Sequence, residues 1–456
     1  MTPKRYWQHD EKLLRSVTNW SLRRLVEGAD PRLRNRSSAE LDDALGETVV
    51  PAGIGGHEAL RLFTEVVVPA TRAQDNPMNL AYVPAAPTEA ALVFDLAVSA
   101  ANIFSGTWEA GAGAVAAENQ ALAWLASLAG WPATAGGCFV SGGTVGNLSA
   151  LVAARERAKA RHGDGSPRRW SFAATTEVHS SIRAAARVLD CVVLEVPVDD
   201  QGRMTGDALA STLDRSDLEG IFGVVASAGT TNAGVVDDLA GIAGVCQDRG
   251  LWMHVDGAYG AAALVAPSVA ERFVGIEHAD SFVVDPHKWL FAPYDCCALI
   301  YREPEYGASA HSQFAGYLET LDRSEWNPAD YAVHLSRRAR GLPFWFSLAT
   351  YGTDRYREAV ETVLATARAV ADEVRARPDL QLVMQPELSV LLFERLGWEM
   401  ADYEQWSAQH AEAGTVACAP TRWQGRPVLR FCFVNPATVV AEVALVLDSL
   451  GADVEG

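Results

Sequence analysis

The chain has 456 residues and carries 38 Lys and Arg against 57 Asp and Glu, which gives a formal net charge of −19. This acidic balance disfavours a nucleic-acid partner, because phosphate recognition needs clustered basic side chains. Seven cysteines are scattered without a CxxC motif, which argues against a disulfide framework or a zinc site. No apolar run approaches the roughly 20 residues that cross a membrane, and the polar N-terminus predicts no secretion signal. We therefore expect a cytoplasmic protein.

The sequence divides into three regions by residue pattern. Residues 1–65 are charged, show helical spacing of apolar residues, and end at a Gly/Pro-rich break. Residues 66–335 alternate helical patterns with short apolar runs, whereas residues 336–456 mix helical and strand-like patterns. These regions predict an N-terminal helical arm, a large α/β domain and a small C-terminal α+β domain.

The apolar runs of the middle region predict the strands of its sheet. Short, nearly all-apolar strands separated by helices are typical of a mostly parallel sheet covered by helices on both faces. The predicted strands are 138–140, 171–175, 191–196, 221–226, 251–255, 281–284 and 296–301. A helical pattern before Gly250 is predicted to end at that glycine. In the C-terminal region we predict a helix over 343–375, strands over 380–384, 389–394 and 427–434, and a last helix over 438–450.

Lys288 directly follows one of the predicted strands. Lysine is seldom buried, and desolvation lowers its pKa. A lowered pKa would supply the free amine that Schiff-base chemistry requires. A surface lysine is the alternative, but the apolar neighbours Trp289, Leu290 and Phe291 disfavour it.

Two other segments place chemically useful groups at strand ends. Asp256 follows the strand predicted at 251–255, where a buried carboxylate is costly unless it is paired and where α/β proteins bind ligands; a helix cap is the alternative. Residues 139–148, FVSGGTVGNL, lead from a strand through glycines into a helix. Free N–H groups and the helix dipole there suit a phosphate, although a strand–turn–helix junction without a ligand has the same pattern.

Together these three segments match the needs of one cofactor. A phosphate cradle, an acid for a pyridinium nitrogen and a Schiff-base lysine are what pyridoxal phosphate requires from a protein. His179 at another strand–helix junction could stack on the ring, and Thr230 adds a hydroxyl at a further strand end. No HExxH motif or cluster of His and Cys occurs in the sequence, which disfavours a metal enzyme.

The motifs FVSGGTVGNLSAL, EVHSSI, AGTTNAG, HVDGAYG and DPHKWL, in this order, resemble the group II pyridoxal-phosphate amino-acid decarboxylases, which include aromatic-L-amino-acid decarboxylase. The similarity covers about residues 70–450. It implies a fold-type-I α/β fold with a mostly parallel seven-stranded sheet, helices on both faces and a small C-terminal α+β domain. It also implies a homodimer with the active site at the subunit interface.

The implied reaction is decarboxylation of an L-amino acid to an amine and CO₂. Aromatic residues near positions 82–108 favour an aromatic substrate. An acidic or diamino substrate is an alternative, as is an aldehyde synthase or carbon–carbon lyase on the same fold. A non-catalytic relative is disfavoured because the lysine, aspartate and histidine of the motifs are all present.

The resemblance implies roles for individual residues. Lys288 would form the Schiff base, Asp256 would pair with the pyridinium nitrogen, and His179 would stack on the ring. The other implied cofactor contacts are Gly143, Thr144, Thr230, Ala258 and His287. The implied substrate contacts are Tyr82, Phe104, Trp108 and Arg430. As alternatives, Arg430 could form a structural salt bridge, and the aromatic side chains of Phe104 and Trp108 could belong to the core.

In many members of this family a loop tyrosine protonates the substrate carbon after CO₂ leaves. The corresponding region is roughly 306–336, and it ends at a Ser-Arg-Arg sequence that matches the family pattern. Tyr331 resembles the loop tyrosine, although its spacing to the Ser-Arg-Arg sequence is shorter than in the aromatic decarboxylases. Tyr317 and His311 are the rival proton donors.

Overall fold

Seven strands form the main sheet of the chain in a computed structural model, which describes residues 10–32, 36–162, 165, 167–313 and 324–451. The strands are β1 (Gly136–Val140), β2 (Ser171–Thr175), β3 (Val192–Val196), β4 (Ile221–Ser227), β5 (Trp252–Asp256), β6 (Ser281–Val284) and β7 (Cys297–Tyr301). All seven predicted strands are confirmed, with ends that differ by at most two residues.

The direction of the strands brings their carboxyl ends together. The sheet order is β1-β7-β6-β5-β4-β2-β3. The pairs β2·β3, β2·β4, β4·β5 and β5·β6 are parallel, whereas β7 is antiparallel to both β6 and β1. Since β1 therefore runs in the same direction as β6, the strands β1 to β6 all end at one edge of the sheet. The mostly parallel sheet predicted from the sequence is confirmed.

Helices cover this sheet, and strands such as β1, β2, β5 and β7 are buried along their whole length. The helices of this region are α4 (Glu89–Ala101), α5 (Trp108–Leu128), α6 (Gly143–His162), α7 (Ser180–Val188), α8 (Gly206–Arg215), α9 (Leu239–Arg249), α10 (Pro286–Trp289) and α11 (Pro304–His311). Helix α9 ends at Gly250, whose φ of 67° is left-handed, as the sequence predicted.

The C-terminal region forms a second, four-stranded antiparallel sheet in the order β10-β11-β9-β8. Its elements are α12 (Leu342–Arg375), β8 (Leu380–Leu382), β9 (Val390–Arg395), α13 (Met400–Ala413), β10 (Thr421–Trp423), β11 (Arg426–Cys432) and α14 (Val440–Asp448). Strand β10 was not predicted from the sequence. Its signal is the two-residue turn Gln424-Gly425, in which both residues have positive φ, as a tight hairpin requires.

A buried ion pair fixes the Ser-Arg-Arg segment against α5. The Arg337 and Glu118 side chains are 1% and 2% exposed, and two N–H···O contacts of 2.8 Å join them. Arg337 also donates to the carbonyl oxygen of Ser105 at 2.9 Å. A buried charge is tolerated when it is paired in this way. Through the additional bond to Ser105, Arg337 also holds the residues just before α5 next to the Ser-Arg-Arg segment.

The N-terminal helices are α1 (Glu11–Glu27), α2 (Ser38–Leu45) and α3 (Gly56–Leu62). No residue of α1 is buried, and its apolar side chains Leu14, Val17, Leu22 and Val26 are exposed. None of the described helices combines the length and the apolar composition needed to span a membrane. The domain boundaries at 65/66 and 335/336 stay predictions.

Candidate active site

The motifs of the sequence converge at the carboxyl edge of the main sheet. Five predicted residues line one cavity there, and four further residues complete its lining. The predicted residues are His179, Thr230, Asp256, Ala258 and Lys288. The additional ones are Ser227, Gly229, Thr231 and Tyr259. Each group follows the end of a strand, because β2, β4, β5 and β6 all point towards this edge.

Lys288 lies on the short helix α10 and forms an ion pair with Asp285. Its Nζ atom is 2.8 Å from Asp285 Oδ2, and the Asp285 side chain is only 2% exposed. Burial alone lowers the pKa of Lys288, but the charge and hydrogen bond of Asp285 outweigh it, so the pKa is raised above its ordinary value. The expectation of a lowered lysine pKa was therefore wrong for the protein without cofactor. The raised pKa of Lys288 is caused by its counter-ion Asp285, three residues away in the sequence.

Sequence reasoning missed the role of Asp285. The pKa of Asp285 is lowered because the positive charges of Lys288 and the neighbouring His287 outweigh the effect of its burial. The signal was present, since Asp285 follows the buried strand β6 just as Asp256 ends β5. A carboxylate in that position must be paired, and Lys288 lies one helical turn away.

Asp256 ends strand β5 and accepts two hydrogen bonds. Asn147 Nδ2 donates to Asp256 Oδ2 at 2.9 Å, and the backbone N–H of Ala258 donates to Oδ1 at 3.2 Å. The helix that follows begins at Gly260 without a side-chain cap, so Asp256 does not act as a helix cap. Asp256 is instead a buried acceptor whose orientation is set by its neighbours.

His179 immediately precedes helix α7 and lines the same cavity. Its Nδ1 atom accepts from the backbone N–H of Ser181 at 3.2 Å and lies 2.8 Å from Ser181 Oγ. These bonds hold the imidazole at the start of α7. Thr230 also lines the cavity, and its Oγ1 atom accepts from the backbone N–H of Val235 at 3.2 Å. The Thr230 hydroxyl can still donate a hydrogen bond.

The glycine turn after β1 forms a close cradle beside the cavity. A Cβ atom on Gly143 would lie 3.0 Å from Ala258 Cβ and 3.4 Å from Asp285 Oδ2, so the backbone lies close to these residues and a larger side chain would crowd them. Gly143 and the exposed Thr144 form the first turn of α6, whose leading N–H groups lack partners within the helix. Burial lowers the pKa of His287, and His287 Nδ1 accepts from the backbone N–H of Cys296 at 3.0 Å.

These residues fit pyridoxal phosphate. An amine, an oriented carboxylate and an imidazole line one cavity, and a glycine-led helix start lies beside it. A phosphate suits the helix start, while Lys288, Asp256 and His179 suit an aldehyde, a ring nitrogen and a ring face. The chemistry of this donor set therefore matches the cofactor that the sequence indicates.

A second groove adjoins the cavity and shares His179 and Thr231 with it. Tyr82 and Arg430 line this groove. The buried Arg430 guanidinium donates to the backbone carbonyl oxygens of Tyr82, Thr231 and Asn232, at 2.5, 2.7 and 3.1 Å respectively. Arg430 thus ties three segments of the groove wall together through carbonyl groups. Its contact with a substrate stays a prediction.

The other predicted residues lie outside the cavity of their own chain. Phe104 is partly exposed, and its backbone pairs with that of Arg338 in an isolated antiparallel β-bridge. Trp108 begins α5, and its backbone N–H donates to the side-chain oxygen of Asn327. Tyr331 is buried and stacks on Trp326 with ring centroids 4.4 Å apart. His311 is buried with Nε2 at 2.9 Å from the carbonyl oxygen of Ser149. Tyr317 lies outside the described residues.

Comparison with known proteins agrees with this geometry. A family model described as the pyridoxal-dependent decarboxylase conserved domain matches residues 59–395. The chain belongs to this family. This decarboxylase is 30% identical to aromatic-L-amino-acid decarboxylase of Bacillus atrophaeus over 427 residues, which are 90% of this chain and 88% of the relative. It is 33% identical to L-2,4-diaminobutyrate decarboxylase of Rhizobium meliloti (strain 1021) over 374 residues, 79% and 74% of the two chains.

A solved structure extends the similarity to nearly the whole chain. The crystal structure of Oryza sativa TDC with PLP and tryptamine matches with a TM-score of 0.89 and 25% identity, over 99% of this chain and 98% of that chain. The fold class is therefore confirmed. The decarboxylase is a pyridoxal-phosphate-dependent carboxy-lyase that acts on a small molecule, as the family and its relatives indicate.

The Lys288–Asp285 pair predicts how Asp285→Asn changes the amine. Without the counter-ion, the largest effect that raises the pKa of Lys288 is lost while burial still lowers it, so this pKa falls. An opposite charge at this range changes a pKa by about 1 to 3. At pH 8 the cofactor-free variant should therefore hold more neutral amine and acylate Lys288 at least about tenfold faster. Limited acylation followed by peptide mass spectrometry measures this rate.

Lys159 provides the internal control for that measurement. It lies on α6 and pairs with Glu156 at 2.8 Å, far along the helix from the cavity, so its acylation rate should be equal in both proteins. An unchanged or slower rate at Lys288 in the variant would show that Asp285 does not hold the lysine in its charged form.

Proposed function

We propose that this decarboxylase removes the α-carboxylate of an aromatic L-amino acid as CO₂ and releases the amine. The observation that carries the proposal is the convergence of Lys288, Asp256 and His179 on one cavity that opens towards a second groove. Bound pyridoxal phosphate supplies the electron sink for the electron pair left at the substrate carbon. The protein supplies the lysine to which the cofactor attaches and the side chains that orient the cofactor and hold its protons.

Each of the three side chains has a task that its surroundings support. Lys288 offers the attaching amine, and Asp285 can accept the proton that this amine must lose. Asp256 is held by two donors and would keep a ring nitrogen protonated. His179 is fixed by Ser181 and would cover one ring face, which excludes water from it.

The substrate class is supported by both the groove and the relatives. Tyr82, Val178 and Pro420 give the groove an apolar wall, and the relative that matches 90% of this chain is named an aromatic-L-amino-acid decarboxylase. Glu177 also lines the groove and could bind an ammonium group. Together with the diaminobutyrate decarboxylase relative, Glu177 supports a diamino substrate as the second candidate.

The first test measures cofactor attachment and substrate preference. Borohydride reduction of the protein loaded with pyridoxal phosphate should label Lys288, one of four lysines in the chain, and Lys288→Ala should abolish CO₂ release. Lys159→Ala is the matched control and should retain activity. Among the twenty common amino acids and 2,4-diaminobutyrate, the aromatic ones should release CO₂ fastest.

Two outcomes would contradict this proposal in different ways. Label on another lysine would remove Lys288 from its assigned role. Faster CO₂ release from 2,4-diaminobutyrate, together with its loss in Glu177→Gln, would replace the aromatic substrate by a diamino one. Aldehyde, ammonia and peroxide in place of the amine would identify an aldehyde synthase.

The residue that donates the proton to the substrate carbon must be able to reach the cavity. Tyr331 packs against Trp326, and its backbone oxygen accepts from the Tyr301 hydroxyl at 3.1 Å. His311 is engaged with the carbonyl oxygen of Ser149. Because both side chains pack outside the cavity of their own chain, we infer that Tyr317 is the stronger candidate, ahead of Tyr331.

Tyr317→Phe should lower amine formation by about 10²-fold or more, as expected for loss of a general acid, and should raise the share of aldehyde. Tyr331→Phe removes only a buried hydroxyl and should leave the ratio of amine to aldehyde unchanged. Product analysis by mass spectrometry measures both. The opposite ranking of the two variants would restore Tyr331 as the donor.

We also propose that the protein is a homodimer. Leu22 on α1 and Leu96 and Val93 on α4 are exposed and line one apolar hollow between these helices. Contiguous exposed apolar surface of this kind is typical of a protein interface. Phe104 and Trp108, which the resemblance assigns to substrate contact, lie outside the cavity of their own chain. A second copy could bring them to it.

Sedimentation velocity should find twice the chain mass of 49.0 kDa. The double substitution Leu22→Glu with Leu96→Glu should give the monomer and lower activity. Leu445→Glu, at an exposed position on α14, is the control and should remain dimeric. A native protein that sediments as a monomer with full activity would contradict the proposal.

A further inference from the structure

A line of buried polar side chains leads from the core to Asp256 and His179. Its members are Trp252, Ser281, His254, Asn147 and Ser181, and each is at most 3% exposed. The sequence analysis assigned none of them a role. Burying a polar group costs free energy unless the group is hydrogen-bonded. Each of these side chains must therefore donate or accept at its contacts, and the direction of each hydrogen bond can be assigned.

Asp256 determines the orientation of Asn147. A carboxylate only accepts hydrogen bonds, so the amide nitrogen of Asn147, 2.9 Å from Asp256 Oδ2, must face it. The amide oxygen of Asn147 then faces His254 Nε2 at 2.9 Å, and that nitrogen must carry a hydrogen. Asn147 is therefore held from both sides and cannot rotate by half a turn without losing both bonds.

His254 is the anchor of this arrangement. Since Nε2 carries the hydrogen, Nδ1 of His254 accepts from the Ser281 hydroxyl at 2.8 Å. Ser281 Oγ in turn accepts from Trp252 Nε1 at 2.9 Å. Burial lowers the pKa of His254 to about 4, so the imidazole is neutral over the physiological range, and the tautomer with Nε2–H satisfies every bond.

A branch of the same line reaches His179. The second amide hydrogen of Asn147 points to Ser181 Oγ at 3.0 Å. The Ser181 hydroxyl can then donate to His179 Nδ1 at 2.8 Å. Asn147 thus contacts Asp256 directly and His179 through one hydroxyl.

We propose that Asn147, anchored by His254, is the positioning residue that holds the Asp256 carboxylate oriented towards the cofactor ring. The proposal rests on the proposed function in that Asp256 must face a ring nitrogen. A hydrogen bond to the charged form of a carboxylate stabilises that form. Without it, the Asp256 carboxylate loses the bond that fixes its orientation, and a ring nitrogen beside it would bind its proton less firmly.

Other titratable groups also face Asp256. They are Lys288 from α10, His254 on the same strand, and His179 at the start of α7; Asp285 faces Lys288. A substitution at Asn147 also removes the acceptor of His254 Nε2 and the amide donor to Ser181 Oγ. A change in the pH behaviour of the bound ring therefore reports on the Asn147–Asp256 bond once variants at Ser181 and His254 serve as controls.

The test uses the full-length protein loaded with pyridoxal phosphate and follows the absorbance of the bound cofactor against pH. Asn147→Leu has a similar shape but no donor. It should lower the pH midpoint of ring-nitrogen deprotonation by about one pH unit and weaken pyridoxal phosphate binding about tenfold, as loss of a hydrogen bond to a charged group implies. Equilibrium dialysis measures the affinity.

Three further variants make the test specific. Ser181→Ala cuts only the branch to His179 and should keep the native midpoint. His254→Gln retains an N–H towards Asn147 and should also keep it, whereas His254→Phe should behave like Asn147→Leu. If Asn147→Leu does not fold, the pair His254→Gln and His254→Phe decides the question.

The outcomes separate this inference from the proposed function. Failure of the native protein to bind pyridoxal phosphate would overturn the proposed function itself. Native binding with the same midpoint and affinity in Asn147→Leu and His254→Phe would overturn the positioning role of Asn147 alone. Equal effects of His254→Gln and His254→Phe would show that bulk at position 254, not the hydrogen bond, matters.

Discussion

Buried carboxylates at the carboxyl edge of the main sheet govern the arrangement of the site. Asp256 and Asp285 each follow a buried strand, where an unpaired charge would be costly. Asp256 accepts from Asn147 and the Ala258 N–H, and Asp285 pairs with Lys288 through Oδ2. Each carboxylate thereby fixes a second side chain, so the requirement for pairing also builds the geometry in which a cofactor can bind.

The two carboxylates differ in the charge of their partners: Asp285 pairs with a charged lysine, whereas Asp256 pairs with a neutral amide. Asp285 stabilises the charged form of Lys288 and raises its pKa, which protects a buried lysine until a cofactor arrives. Asn147 donates to Asp256 as a neutral amide, and the His254 behind it is neutral as well, since burial lowers its pKa to about 4. One carboxylate therefore has a partner that can release a proton, whereas the other has a partner that cannot.

Much of the fold followed from the sequence because its signals are local. Strands β2 and β6 were predicted with the observed ends, and the helix end at Gly250 follows from the left-handed backbone that glycine readily adopts. The cavity-lining side chains Lys288 and Asp256 were recognisable because charged residues at the end of apolar strands are unusual. Strand β10 was missed because its local signal is the two-residue turn Gln424-Gly425 rather than an apolar run.

What the sequence determined by itself was therefore the identity of the chemical groups and the elements that carry them. Tertiary structure decided which groups meet. Arg430 binds carbonyl oxygens contributed by segments about 200 and 350 residues away in sequence. The role of Asn147 depends on His254 and Asp256 lying on the adjacent strand β5. Such electrostatic and hydrogen-bond effects act through space, so no local pattern in the chain can specify them.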